Sequence, residues 1–193
     1  TQVDKICDGE IVLKNKNKIK SDYIIVATEV NNLLDGHNLS SVKWKSCLNL
    51  YFEIDKKSLD NGLIGLLPGN NTIINNIFFV SGIKSNITGP KELLSVTVID
   101  SKSFSNGDLI NRVKYELKKY CSIKVIRLIS QFNITKSLPN LSDISYTKTP
   151  SEFQISDSIF LAGDHELNPS LNAAITSGEM SALQLIKIDK LND

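Results

Sequence analysis

The sequence predicts a mixed α+β / α/β fold in which a β-rich middle part lies between two βα-like segments. Two short apolar runs, Tyr23–Ala27 and Ile159–Ala162, are bounded by polar residues and precede candidate helices, which is typical of buried parallel strands. The stretch between them reads mainly as strands separated by Asn, Gly and Pro turns. We therefore expect two domains, one made of residues 1–35 and 151–193 and the other of residues 36–150.

The first segment predicts a small β-meander. Gln2–Cys7 and Glu10–Leu13 alternate as strands do, Asp8-Gly9 is the expected hairpin turn, and Ile19 belongs to a third strand. The strand at Tyr23–Ala27 then follows, and we expect it to be buried on both faces because its apolar run is continuous.

The middle part is predicted to be mostly β-structure, preceded by a short helix over Glu29–Leu34 that ends near residue 36. Four candidate strands are separated by turn residues: Ser46–Ile54, Leu63–Leu67, Asn75–Ser81 and Leu93–Ile99. A helix with Ser105 as N-cap follows, and its expected buried face comprises Leu109, Val113, Leu117 and Tyr120. A further strand, Ile123–Phe132, leads into the stretch "NITKSLPNL", which Pro139 indicates to be an irregular loop.

The last part of the chain contains the stretch "IFLAGDHELNPSLNAAITSG", from Ile159 to Gly178. Asn168 as N-cap and Pro169 at the first helical position predict a helix after the polar loop. Its expected core face is apolar: Leu171, Ile175, Met180 or Ala182, and Leu185 or Ile186. Small residues in the first two turns indicate that something docks close to the backbone there.

Composition argues against several classes of function. The net charge of +1 gives no basic surface for nucleic acid. The two histidines, His37 and His165, and the three cysteines lack the spacing of a metal site, and no Gly-x-Ser-x-Gly elbow supports a hydrolase. No apolar run approaches the roughly 18 residues that span a bilayer, and no signal segment begins the chain, so we expect a cytoplasmic protein.

Several motifs together carry a resemblance to a known family. The meander "VDKICDGEIVLKNKNKIKS", the strand "DYIIVAT" and the closing "LAGDHELNPSLNAAITSG" occur in the order seen in the carboxy-terminal half of flavin-containing amine oxidases and phytoene desaturases. The middle segments "LNLYFEID", "NNIFFVSGI" and "LLSVTVID" also fit. The resemblance covers nearly the whole chain. It implies a mixed β-sheet substrate-binding domain with helices, flanked by the C-terminal remnant of an FAD-binding Rossmann-like domain.

The resemblance also implies a cofactor, FAD, and a set of residues that contact it. Gly163 would allow the backbone to approach the cofactor closely, and Asp164 would accept a hydrogen bond from a flavin hydroxyl. The start of the last helix would point its N–H groups and positive dipole end at the flavin pyrimidine edge. The residues assigned to cofactor binding are Gly163, Asp164, Ser170, Leu171, Asn172, Ala173, Ala27 and Thr28. No catalytic residue and no metal ligand is assigned.

We therefore expect a fragment of an FAD-dependent oxidoreductase that oxidises a substrate C–H or C–N bond by hydride transfer to flavin. The expected partners are a small, apolar substrate such as a polyene and the N-terminal FAD-binding half of the protein, which this chain lacks. An amine, a protoporphyrinogen-like ring and peripheral membrane contact stay open. The isolated chain is expected to be inactive and to bind FAD weakly or not at all. The alternatives are a non-catalytic binding module of the same fold and a flavin-independent isomerase or hydrolase that depends on Asp164 and His165.

Overall fold

The computed structural model describes residues 1–30, 33–34, 41–55, 63–67, 71–83, 92–99 and 105–192. In chain order, its strands and helices are β1 (Val3–Cys7), β2 (Glu10–Leu13), β3 (Lys18–Lys20), β4 (Ile24–Val26), β5 (Trp44–Ile54), β6 (Ile64–Leu66), β7 (Ile74–Phe79), β8 (Glu92–Ile99), α1 (Asn106–Cys121), β9 (Val125–Pro139), β10 (Ile159–Leu161) and α2 (Leu171–Asn192). The chain forms two compact units. The first combines Thr1–Trp44 with Leu138–Asp193, and the second is the continuous stretch Lys45–Ser137.

The first unit begins with the predicted meander. β1, β2 and β3 form an antiparallel three-stranded sheet in that order, which confirms the prediction. Gly9 adopts a φ of 72° in the turn between β1 and β2, a conformation that glycine reaches without steric cost. Residues 31–32 of the predicted helix over Glu29–Leu34 lie outside the described residues. At the described ones the prediction is wrong, because none of them is helical and Leu34 forms an isolated parallel bridge with Ile6.

A two-stranded parallel sheet of β4 and β10 joins the two ends of the chain, as predicted. Ile24 and Val26 are buried with Ile159 and Leu161 in one hydrophobic cluster. Ile25, however, is 40% exposed, so the expectation of a strand buried on both faces is wrong at this residue. The reason is that successive side chains of a strand point to opposite faces, and the described part of this unit leaves the face of Ile25 uncovered.

The second unit is a five-stranded sheet in the order β6-β7-β8-β5-β9, with α1 packed against its hydrophobic core. The predicted strands and the N-cap of α1 at Ser105 are confirmed. Tyr120 is exposed, so its assignment to the buried face is wrong, and Glu116 is fully buried instead. The stretch "NITKSLPNL" continues β9 as far as Pro139 and is not a loop up to that residue. Because β9 is an outer strand and Pro139 is its last residue, the missing proline N–H does not interrupt the sheet.

Helix α2 begins later than predicted. Ser170 is its N-cap, because its Oγ accepts a hydrogen bond from the backbone N–H of Ala173 at 3.1 Å. The assignment of Asn168 as the cap is therefore wrong. The Asn168 side chain is used elsewhere, since its Nδ2 donates to the Ser145 carbonyl at 3.0 Å and its Oδ1 accepts from Ser170 Oγ at 2.7 Å.

The buried face of α2 also differs from the predicted one. Its buried positions are small or polar: Ala173, Ser177, Ser181 and Gln184. Leu171 and Ile175 are 77% and 62% exposed, which is the reverse of the expectation. The Ser181 hydroxyl donates to the carbonyl of Leu161 in β10. Small side chains therefore face the strand because α2 lies close to its backbone.

Candidate functional site

The candidate site lies where the two parallel strands of the first unit end. The backbone N–H of Ala162 donates to the carbonyl of Val26 at 2.9 Å, which holds the carboxyl ends of β4 and β10 side by side. Ala27 and Thr28 directly follow β4, and Gly163-Asp164 follows β10 after the single residue Ala162. The structure thus brings four of the predicted cofactor-binding residues to one edge of the sheet. In open α/β sheets, ligands bind outside the carboxyl ends of the strands.

Gly163 is fixed by two neighbours in the unit. Its φ of 148° lies in a region that residues with a side chain rarely adopt, and a Cβ there would lie 2.4 Å from His165 Cε1. Its backbone N–H donates to Ser177 Oγ at 2.8 Å. The glycine is therefore required by the packing of His165, and its contact with a cofactor stays a prediction.

Asp164 begins a short 3₁₀ turn, Asp164–Glu166, which places its side chain at the edge of the sheet. The side chain is about a quarter exposed, and its Oδ1 lies 4.0 Å from His165 Nδ1, beyond hydrogen-bond distance. A partly exposed carboxylate can accept hydrogen bonds from a hydroxyl. Its hydrogen bond with a flavin hydroxyl stays a prediction.

The predicted residues at the start of α2 divide into two groups. Ser170 and Ala173 have structural roles, because Ser170 caps the helix and Ala173 packs with Phe153 and Leu167 in a small hydrophobic cluster. Leu171 and Asn172 are exposed and form no part of that cluster. Leu171 and Asn172 therefore form the exposed side of the first turn of α2, and binding of a cofactor there stays a prediction.

We expect Ser177→Ala to destabilise the first unit by about 1–2 kcal/mol, because Gly163 N–H loses its acceptor while little other contact changes. Thr176→Ala also removes a hydroxyl from α2, together with one methyl group, and is the control, with an expected effect within about 0.5 kcal/mol. Urea unfolding followed by the fluorescence of Trp44, the only tryptophan, measures both. Equal stability of the two variants would contradict the hydrogen bond between Ser177 and Gly163.

A cavity of about 550 Å³ opens beside β10 within the first unit. We call it the His165 cavity. Its lining residues are Val30, Ser41, Val42, Lys43, Asn140, Leu141, Ser142, Glu152, Ile155, Leu161, His165 and Glu166. The volume lies within the range of small-molecule sites, although the lining is more polar than is usual for them, since five of its residues are apolar and seven are polar or charged.

His165 is the buried polar group of this cavity. The sequence left it undecided between a pocket and a water-exposed loop, and the structure buries its side chain to 7% exposure. Its Nε2 is enclosed and has no hydrogen-bond partner in the part of the chain that the structure describes. Glu166 and Lys148, which sequence reasoning missed, lie next to it: Lys148 Nζ is 3.4 Å from Glu166 Oε2, and Glu166 Oε1 is 3.5 Å from His165 Nε2. The run Asp-His-Glu was the available signal in the sequence.

A second carboxylate at the cavity, that of Glu152, is occupied by the backbone. It accepts hydrogen bonds from the N–H and the hydroxyl of Thr149 at 2.7 and 2.8 Å, which lowers the pKa of Glu152 below its usual 4.5. Because folding lowers the pKa of Glu152, the hydrogen bonds from Thr149 stabilise the fold when the pH is above the usual pKa of this carboxyl group. This stabilisation is lost as the pH falls through the lowered pKa. Glu166 is therefore the acidic group that faces His165.

Solved structures share the fold of this chain. A protein assigned as a protoporphyrinogen oxidase from Exiguobacterium sp. 255-15 matches with a TM-score of 0.61 and 17% identity, over 96% of this chain and 46% of its own. An oxidoreductase from Methanosarcina mazei matches with a TM-score of 0.62 and 14% identity, over 94% of this chain and 48% of its own. A putrescine oxidase matches with a TM-score of 0.60 and 11% identity, over 96% of this chain and 48% of its own.

The chain thus spans about half the length of each of these proteins, and at such identities the similarity shows the fold alone. Neither a protein-family model nor a curated protein sequence matches it. Among the described residues, no helix combines the length and the apolar character needed to cross a membrane.

Proposed function

We propose that this chain is the carboxy-terminal half of an FAD-dependent oxidoreductase. One observation carries the proposal: Ala27-Thr28 and Gly163-Asp164, which lie in the two motifs that resemble flavin-containing amine oxidases, meet at the carboxyl ends of two parallel strands. The shared fold with two oxidases and an oxidoreductase supports it.

The residues at this edge fit part of a flavin cofactor. Asp164 offers a partly exposed carboxylate to a ribityl hydroxyl, and the exposed Ala27 and Thr28 leave the backbone after β4 accessible. His165, in contrast, fills the space beside Gly163. A flavin cofactor would therefore approach the backbone closely at another place along this edge. When bound, FAD would supply the hydride acceptor, and the protein would orient the substrate and exclude water.

The other half of the cofactor site would come from a part of the protein that this chain does not contain. The outward face of α2 carries Leu171, Ile175 and Ile186, all at least 47% exposed, although its inward face is small and polar. Exposed apolar stripes of this kind usually mark a surface that another element covers. The chain also spans only about half of the similar structures. We propose that the amino-terminal half of the protein covers this face.

The proposed substrate is a small, apolar molecule bound by the middle domain, and the proposed reaction is transfer of a hydride from a C–H or C–N bond. An isomerase is the second candidate, because the chain matches a fatty acid isomerase from P. acnes with a TM-score of 0.61 and 11% identity. Turnover with and without an external electron acceptor separates the two, since an isomerase needs no net oxidant.

We expect the full-length protein to purify with bound FAD, or to bind it on reconstitution, and to show a visible flavin absorbance that a reductant bleaches. Asp164→Asn is expected to weaken FAD binding by roughly tenfold, because a hydrogen bond to a charged carboxylate is replaced by a weaker one to a neutral amide oxygen. Asp157→Asn, an exposed aspartate of the same unit, is the matched control and should bind FAD normally. A colourless protein that cannot be reconstituted with FAD would overturn the proposal.

A further inference from the structure

The His165 cavity contains a combination of groups that the proposed cofactor site does not use. Among the described residues, no group forms a hydrogen bond with the buried His165 Nε2, and the Glu166 carboxylate lies 3.5 Å from it. Leaving a polar atom buried and unpaired costs about 1–3 kcal/mol, so such an atom in a cavity indicates a partner that occupies it. The partner must reach both His165 and Glu166.

The protonation chemistry of the two groups favours a hydroxyl as that partner. Glu166 can only accept hydrogen bonds, whereas His165 Nε2 either accepts or donates depending on its tautomer. A hydroxyl can donate to Glu166 while it accepts from Nε2–H, or it can donate to an unprotonated Nε2. It therefore satisfies both groups when Nε2 carries the proton, and it satisfies Nε2 alone when Nε2 carries none.

The local charges favour a neutral ligand over an ion. Lys148 Nζ already lies 3.4 Å from Glu166 Oε2 and supplies a positive charge to this carboxylate. A second cation would lie beside Lys148, with Lys43 also at the cavity, and an anion would lie beside Glu166; both arrangements are costly where these groups are removed from water. An uncharged hydroxyl avoids both costs.

The other residues that line the cavity indicate the chemical character of the rest of the ligand. Half of them are apolar, namely Val30, Val42, Leu141, Ile155 and Leu161, and half are polar, namely Ser41, Lys43, Asn140, Ser142 and Glu152. The apolar half gains stability from covering an apolar part of the ligand, at about 25 cal/mol for each Å² removed from water.

We propose that the His165 cavity binds a small, neutral molecule with an apolar part through one hydroxyl group held between His165 Nε2 and the Glu166 carboxylate. The inference rests on groups other than the four residues at the strand ends. It therefore stands or falls separately from the binding of FAD.

The test compares three probes with the same six-carbon body: n-hexanol, n-hexylamine and hexanoate. The readout is the proton NMR signal of the His165 ring, which is simple to follow because the chain has two histidines and His37→Gln identifies the other one. We expect n-hexanol to shift the His165 signal saturably, with a dissociation constant on the order of 1 mM. The two charged probes should bind at least about tenfold more weakly than n-hexanol.

Glu166→Gln keeps the size of the side chain and removes its charge, and it should weaken n-hexanol binding about tenfold as measured by broadening of the probe's own signals. Glu179→Gln, an exposed change on α2, is the matched control and should leave binding unchanged. The inference is overturned if n-hexanol produces no saturable shift, or if n-hexylamine or hexanoate binds as tightly as n-hexanol. The comparison of probes uses the unaltered chain, so it decides the question even where Glu166→Gln does not fold.

Discussion

Gly163→Ala is expected to destabilise the first unit by about 3 kcal/mol or more, since two penalties act together. The backbone at this residue has a φ of 148°, which strains any residue with a side chain. The new Cβ would also lie 2.4 and 2.5 Å from His165 Cε1 and Nδ1, so the imidazole would have to leave its place beside the backbone. Urea unfolding followed by Trp44 fluorescence measures the loss.

The control for this change is Gly178→Ala in the middle of α2. Nothing lies within 4 Å of a Cβ built at Gly178, and its φ is not in the left-handed region. Alanine is favoured over glycine inside a helix, so this variant should be more stable than the natural chain by about 0.5–1 kcal/mol. A Gly163→Ala variant as stable as the natural chain would contradict the position of His165 and, with it, the geometry of the His165 cavity.

Glu116→Ala is expected to destabilise the second unit by about 3 kcal/mol or more, because it removes the acceptor of several hydrogen bonds in a buried place. The carboxylate of Glu116 is fully buried and accepts from the backbone N–H groups of Ile73 and Ile74 at 3.1 to 3.2 Å. It also accepts from Arg112 Nε at 2.7 Å, an interaction that raises the pKa of the Arg112 guanidinium.

Two further variants show how much of the lost stability comes from the hydrogen bonds of Glu116. Glu116→Gln keeps the volume and one carbonyl acceptor, so it should cost less than Glu116→Ala. Lys114→Ala changes an exposed residue of the same helix and should alter stability by less than about 0.5 kcal/mol. Far-UV circular dichroism during urea unfolding follows the loss of α1 and the sheet. A loss from Glu116→Ala no larger than that from Lys114→Ala would exclude the buried hydrogen bonds to β7.

Several features of the fold could be predicted from the sequence because they depend on local patterns. The meander was evident from alternating residues around Asp8-Gly9, and the N-cap of α1 from Ser105 with an acid three residues later. The parallel strands at Ile24–Val26 and Ile159–Leu161 were evident as short apolar runs with polar ends. Each of these signals is carried by neighbouring residues and acts before the chain is packed.

The candidate site was predictable only in part. The residues that follow β4 and β10 were chosen from their motifs, and the structure places them at one edge. The buried state of His165 and its proximity to Glu166 could not be read from the sequence, because a histidine in a polar loop is as compatible with water as with a cavity. That choice is made by Gly163, whose missing Cβ leaves room for the imidazole.

The sequence by itself determined the order of strands and helices, since hydrophobic period and turn residues are local properties of the chain. Only the tertiary structure decided which side of α2 is buried. Hydrophobicity favoured Leu171 and Ile175, but close packing against the backbone of β10 admits only small side chains such as Ser177 and Ser181. The distance between two elements, which no local pattern records, therefore determined the inward face and left the apolar face outside.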